Sequence, residues 1–363
     1  MSKPMRSESL DIVVTVQHPA HVHFFRNIID ELEQAGHNVT VFARKKDITE
    51  RLLQQFEIPY TILAGPAESL PGLAKVQLTY EARLYAKARR IRPDIMMAIG
   101  GVAVSHVSKL VDATSIIFID NEDVLSNYVS WPFADVVCTP ERFESDYGSS
   151  HVRYSGYHEV AYLHPDVFEP KPNLLEDYGV NPKETFSVVR LVGWNAHHDV
   201  GKSGFSKTDR QTLLSTLAEY GDVYLTSESE LPPKFEQYQL PVPPHLIHHL
   251  LYYADLYVGD SQTMATEAAI LGTPAVRSNS FAGTDDMSNF IELEQEYDLL
   301  NSITDGEQAI STAEQLLQDP STKALWSKKR AKLFDDKINV NQFVLNLIYE
   351  SVGRVRKREE VLT

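Results

Sequence analysis

Val258–Val276, VGDSQTMATEAAILGTPAV, reads as the end of a strand, a capped helix and the start of the next strand. The short apolar run Leu256–Gly259 closes on a glycine. Asp260 or Ser261 then supplies an N-cap oxygen. The helix Gln262–Leu271 stops at Gly272, and Pro274 lies just beyond, where proline cannot extend it. Thr273–Arg277 resumes as a strand. Two strands joined by a helix make a parallel, right-handed crossover. The first turn of that helix carries unpaired backbone N–H groups at the positive end of the helix dipole, which together form a seat for an anion. Ser261, Gln262 and Thr263 stand there and suit a diphosphate. Glu267, four residues after Thr263, shares its helix face. A carboxylate so placed can accept hydrogen bonds from ribose hydroxyls.

The same alternation extends both ways along the chain. Upstream lie strand Phe186–Val192, helix Thr208–Tyr220, strand Val223–Thr226, a Pro-rich loop Leu231–Pro244 and a helix near His245–Ala254. Two helices after about Glu307 and a last one from about Asn339 finish the chain. The N-terminal half repeats the rhythm. Strands are expected at Leu10–Val16, Val39–Ala43, Tyr60–Leu63, Ile95–Ile99, Ser115–Ile119 and Asp135–Thr139, with helices over His21–Ala35, Thr49–Phe56, Leu73–Ile91 and Val102–Leu110. Ser155–Pro172, rich in Pro, Gly and aromatics, interrupts the pattern and reads as an interdomain linker. The fold class is therefore α/β, two doubly wound parallel-sheet domains over 1–160 and 161–336, with ligand groups expected on the loops after the strands.

Composition narrows the function. With 43% hydrophobic and 23% charged residues, 363 residues suffice for two ordinary cores. A formal net charge of -16 argues against broad nucleic-acid binding, which needs a positive field. Cys138 is the one cysteine, so neither an intramolecular disulfide nor a Cys-rich zinc site can form. No stretch approaches the roughly 20 apolar residues of a membrane span, and Met1–Ser9 is polar and lacks a signal-peptide core. The expected location is cytoplasmic.

Three further loops carry chemistry. Gln17–His23, QHPAHVH, joins the first strand to its helix. A histidine at a helix N-terminus is favoured in its neutral form, as a general base requires, so His21 is a candidate base or acceptor contact as well as a structural histidine. His18, His21 and His23 make a poor metal set, since His21 and His23 point to different helix faces. Val192–Ser206, VGWNAHHDVGKSGFS, has three glycines that let backbone approach a ligand. In it Lys202 offers a charge for phosphate, and His197 and His198 offer acid/base chemistry. Asp120-Asn121-Glu122-Asp123 follows a strand end; Asp120 and Glu122 suit acceptor binding or acid/base work, or equally a capped helix start.

Glu267-Ala268-Ala269 with Leu271-Gly272-Thr273-Pro274 resembles the donor-site motif of GT-B glycosyltransferases. The same window resembles the Asp-Ser-Gly-Gly…Glu-Glu-Ala segment of non-hydrolysing UDP-GlcNAc 2-epimerases, with Gln262-Thr263 in place of the two glycines. Over nearly its whole length the chain looks like the family called domain of unknown function 354, through HPAHVHFF, RLVGWNAHHDVG, LYYADLYVGDSQTMATEAA and LGTPAV. His21-Val22 is similar to the His-Val pair of the peptidoglycan GlcNAc transferase.

These resemblances imply a GT-B fold whose last helix, 337–363, packs back on the N-terminal domain. They assign the phosphate role to Ser261 and the ribose role to Glu267, and they require no metal or other cofactor. The implied activity is transfer from an NDP-sugar, a UDP-sugar favoured, to a glycan or lipid-linked acceptor. Epimerisation of a UDP-sugar and non-catalytic nucleotide-sugar binding are the alternatives. Against epimerisation, Ile99-Gly100-Gly101 stands where the epimerases have His-Gly-Asp. A lipid-linked acceptor, together with Lys75, Arg83, Lys87, Arg89, Arg90 and Arg92 on one helix, is compatible with peripheral contact at the inner membrane face, although a solvated helix face explains those charges as well.

Overall fold

The computed structural model describes residues 9–46, 48–66, 70–122, 124–192, 204–227, 230–280, 282 and 286–362. The chain divides into two compact units, Met1–Val167 with Ile338–Thr363, and Phe168–Lys337.

The first unit alternates β1 (Asp11–Val16), α1 (Pro19–Gln34), β2 (Asn38–Arg44), α2 (Thr49–Gln55), β3 (Tyr60–Ala64), α3 (Leu70–Ile91), β4 (Ile95–Ile99), α4 (Val102–Val111) and β5 (Thr114–Phe118). It continues through α5 (Asn127–Ser130), β6 (Val136–Pro140), β7 (His151–Tyr154) and α6 (Val160–Leu163). All seven strands are parallel, in the order β3-β2-β1-β4-β5-β6-β7. Helices cover both sheet faces, which is why the strands read as apolar runs and not as alternating ones: Ile12, Val13, Val14 and Val16 are all fully buried. In α1, Val22, Phe25, Ile29 and Leu32 recur at helical spacing and are buried.

The expected linker over Ser155–Pro172 is corrected in its first half. Tyr157, Val160, Tyr162 and Leu163 are at most 2% exposed, and α6 packs on α1. Aromatic density there marks core and not tether, because a surface linker has no apolar neighbour to bury such rings against.

The second unit runs α7 (Asn173–Glu176), β8 (Phe186–Leu191), α8 (Lys207–Leu217), β9 (Asp222–Ser227), α9 (Ile247–Tyr253), β10 (Leu256–Gly259), α10 (Gln262–Leu271), β11 (Ala275–Ser278), α11 (Ser288–Gln295), β12 (Leu300–Ile303), α12 (Gly306–Gln318) and α13 (Thr322–Asp336). Its five strands are parallel in the order β12-β11-β10-β8-β9. The strand β12, which sequence reading did not expect, completes this sheet; its half-polar LNSI is weak as a pattern and is fixed by pairing with β11. The final helix, α14 (Val340–Leu362), returns to the first unit, where it packs on α1 and α6.

Candidate functional site

Each sheet reverses its strand order once. In the first unit the chain winds outward from β1 through β2 to β3, then starts again on the other side with β4. In the second it winds from β8 to β9 and restarts with β10. Loops diverge at such a reversal and leave a crevice beyond the strand ends. The residues singled out by sequence lie beyond strand ends: His18 just after β1 and His21 in the first turn of α1, Asp120 just past β5, and Ser261, Gln262 and Thr263 at the start of α10.

At the first unit's reversal, the His18 Nδ1 accepts the Ala20 N–H at 3.2 Å and caps α1. The Gln17 N–H donates to the His21 Nδ1 at 3.4 Å. A neutral His21 therefore carries its proton on Nε2. Burial, then the neighbouring His18, lower the His21 pKa to about 3, so the ring is neutral at physiological pH. Two strands away, Asp120 Oδ2 lies 3.0 Å from His158 Nδ1. The Asp120 side chain is 45% exposed, whereas that of His158 is only 6% exposed. Burial works against the Asp120 charge, but the charge and hydrogen bond of His158, with His21 behind them, outweigh it and hold the carboxyl below its ordinary range. The His158 Nε2 is buried, with Phe24 and Phe118 packed on the ring, and has no hydrogen-bond partner among the described residues. The ionised Asp120 carboxylate can only accept, so the His158 Nδ1 carries the N–H donated to it.

The other histidine and carboxylate singled out in this unit have local partners. Glu122 Oε1 accepts the Glu144 N–H at 3.0 Å and pins the segment after β6. His23 is buried between Phe56 and Tyr162.

At the second unit's reversal, Ser261 caps α10, its Oγ accepting the Met264 N–H at 3.4 Å. Ser261, Gln262 and Thr263 are partly exposed. Asp260 is buried and accepts the Val192 N–H at 2.6 Å, which ties the end of β8 to the end of β10. Glu267 is 4% exposed, and its Oε1 meets the Nε2 of His248, on α9, at 2.9 Å. On the neighbouring strand β11, the fully buried Arg277 pairs with Asp286, bonds the Ser302 hydroxyl at 3.2 Å and stacks over Phe290. Burial lowers the Arg277 pKa to about 10, which leaves it charged at neutral pH. Three of the expected donor-loop residues, His197, His198 and Lys202, lie outside the described residues.

His158, His248 and Arg277 were not singled out by sequence reading. His158 sits inside the stretch taken as linker, and His248 inside a run, HLIHHLL, whose histidines look interchangeable until the fold selects one. Arg277 did carry a signal: a lone charge in the apolar strand AVRS.

A model of the family described as "Protein of unknown function (DUF354)" matches residues 10–351. The chain belongs to this family. A relative in sequence is an uncharacterized protein of Methanocaldococcus jannaschii, 22% identical over 283 residues, covering 74% of this chain and 81% of the other. Solved structures similar to this DUF354 chain include a UDP-N-acetylglucosamine 2-epimerase, at TM-score 0.64 and 14% identity, covering 94% of this chain and 97% of that one. Another is the glycosyltransferase VinC in complex with dTDP, at TM-score 0.61 and 14% identity, covering 95% and 100%. At such identities the likeness shows the fold, which is GT-B-like: two Rossmann-like domains with parallel sheets.

Proposed function

We propose that this chain binds a nucleoside diphosphate sugar, a UDP-sugar by preference, and transfers the sugar to a hydroxyl of a glycan or lipid-linked acceptor. The observation that carries the proposal is the start of α10. It stands at the strand-order reversal with Ser261, Gln262 and Thr263 partly exposed, and Glu267 follows one turn later, held by His248. In this scheme the α10 N–H groups and dipole stabilise the leaving diphosphate. The Ser261 oxygen already accepts from Met264, so its own hydrogen remains for a phosphate oxygen. Lys202 adds charge, and Glu267 takes the ribose hydroxyls. The dTDP held by VinC, on a fold of this class, supports a nucleotide in this role.

On the first unit, Asp120 is the ionised group that receives the acceptor's hydroxyl proton. His21 suits that task poorly, since its Nδ1 already accepts the Gln17 N–H and its Nε2 carries the proton. His21 serves instead as a neutral Nε2–H donor to a bound oxygen. His197 or His198 supplies further acid/base chemistry on the donor side. The scheme uses neither metal nor cofactor.

Calorimetric titration with UDP, GDP and dTDP tests the nucleotide claim, and binding of none of them would overturn it. Epimerisation is the second reading, favoured by the likeness to the 2-epimerase but lacking an acid at Ile99-Gly100-Gly101. Incubation with UDP-GlcNAc alone separates the two. Epimerisation needs no acceptor, so conversion of the sugar without one excludes the transferase.

A further inference from the structure

The strand β3 is an outer edge of the seven-stranded sheet, and no strand among the described residues pairs with its far side. A groove of about 430 Å³ runs between this edge and α3, with Thr61, Ile62 and Leu63 on one wall and Arg83, Lys87 and Arg90 on the other. The three cations recur at helical spacing and share one face of α3. Among the described residues none of them makes an ion pair, and no carboxylate lines the groove. Glu81, the one acid of α3, is engaged elsewhere: its Oε1 accepts from Gln77 at 2.8 Å and its Oε2 lies 3.4 Å from the His106 Nδ1 of α4. Like charges four residues apart, as in Arg83 and Lys87, disfavour a helix, so the stripe does not serve α3 itself. On a chain of formal charge -16, it is a local positive field open to an anionic partner.

The backbone of the edge selects the kind of anion. The Ala64 carbonyl turns inward and accepts the Lys45 N–H beside β2. The Leu63 carbonyl turns outward and accepts from the Arg83 Nη1 at 2.7 Å. By the alternation of a strand, the N–H and carbonyl of the exposed Thr61 turn outward as well. Outward backbone groups of this kind are a template for an added strand. Side chains alternate too. Leu63 is buried with Tyr80 and Leu84 of α3, which puts Thr61 on the α3 side and the half-buried Ile62 on the other. A strand laid outside β3 therefore turns every second side chain toward the cations and the rest toward the side of Ile62. From Arg83 to Arg90 the helix rises about 10 Å, the length of about three strand residues, so two acids at alternate positions reach all three cations. We propose that this groove receives an extended acidic segment of a partner protein, which adds to the edge of β3 as a strand, with acids at alternate positions against Arg83, Lys87 and Arg90 and apolar side chains between them. This inference stands apart from the nucleotide reading.

The test uses the full chain and fluorescence anisotropy with two labelled octapeptides of one composition, one alternating Glu and Val, the other with four Glu followed by four Val. The alternating peptide should bind more tightly than the blocked one, and less tightly as salt rises. Lys87→Gln with Arg90→Gln should weaken it about three- to tenfold, the loss of exposed ion pairs. Both sites are exposed, so thermal melting should match wild type. Only every second N–H of an added strand faces the sheet. Of two further alternating peptides, one N-methylated on its Glu residues and one on its Val residues, one should therefore lose binding to the wild-type protein and the other keep it. No binding of the alternating peptide, equal binding of the alternating and blocked peptides, or full binding of both methylated forms would overturn the proposal. So would a labelled oligothymidylate that binds as tightly as the peptide and is weakened by the same double substitution, since the groove would then be a nucleic-acid surface.

Discussion

Glu267 was singled out as a candidate ligand residue from its spacing behind a capped helix start; His248, which holds it, was not. The pairing needs α9 and α10 side by side, a contact between residues 19 apart in sequence that no local pattern encodes. With one oxygen on His248, the carboxylate is oriented by a partner as well as by its own helix. Glu267→Ala should weaken nucleotide binding roughly 10- to 100-fold, the loss of one or two charged hydrogen bonds, and Glu267→Gln less. Alanine is the better helix former, so the domain should stay folded. His248→Phe should reproduce part of that loss and also erode the preference for UDP over 2′-deoxy-UDP, which a purely structural histidine would leave unchanged. If the calorimetric ratio of the two nucleotides is the same in both proteins, His248 does not position Glu267. Asp120 and His21 make a second residue-level pair. Asp120→Asn should lower turnover by roughly 10²–10⁴ with nucleotide affinity kept. The His21 pKa falls on folding from 6.5 to about 3. Between these values the unfolded chain binds a proton that the folded chain refuses, so this ring's contribution is complete above pH 6.5 and stability declines as pH falls toward 3. Urea unfolding of His21→Gln against pH should show a flatter acid-side slope than wild type; parallel slopes would remove His21 from the account.

Strands and helices were legible where their periods were long and their ends capped. Gln262–Leu271 was read to its observed bounds, because capping residues precede it at Asp260-Ser261 and Gly272 ends it. Gly272 has φ +79° and closes the helix against Arg330, whose side chain would meet an added Cβ at 2.7 Å. The elements missed were short ones, the helices α5, α6, α7 and α11 and the edge strands β7 and β12. β7 and β12 are short, four residues each, and draw their order from a neighbouring strand more than from their own pattern. The joint between β4 and α4 tests how tightly an element end is specified. Gly101 is the N-cap of α4 with φ +68°, and a Cβ there would fall 2.3 Å from the Cγ2 of Ile117 on β5. Neither the left-handed backbone nor that contact tolerates a side chain. Gly101→Ala should therefore cost about 2–4 kcal/mol and lower the first melting transition by several degrees, whereas Gly100→Ala, with open space around it, should cost only about 1–2 kcal/mol for its positive φ. Equal melting temperatures for the two variants would show that β5 yields to the added methyl.

At the scale of the whole chain, the two halves are unequal in how they close. The second unit, Phe168–Lys337, is one uninterrupted segment. It has its own five-stranded sheet and its own core, in which Leu213, Leu217, Val258 and Val276 meet Ala309 and Ala313. The first unit is assembled from both ends of the chain. Its final helix, α14, lies on α1 and α6, with Val340, Val344 and Ile348 fully buried. Two polar contacts fix the docking: the Asn341 Nδ2 donates to Glu31, and His37 Nε2 lies 3.1 Å from the Tyr349 hydroxyl. Gly156 presses so close to Val340 that an added Cβ would sit 2.6 Å from its Cγ2, which makes the start of α14 part of the same core as the turn before α6. Removing three fully buried aliphatic side chains together costs roughly 1.5–3 kcal/mol for each one, a sum that rivals the whole stability of a domain. A fragment of residues 168–337 should therefore melt cooperatively on its own, while residues 1–167 should be expanded and sensitive to protease until a peptide of residues 338–363 is supplied. Circular dichroism and limited proteolysis of the two fragments, with and without the peptide, would decide it. A cooperative melt of 1–167 alone would mean that α14 is an accessory of this fold and not one of its walls.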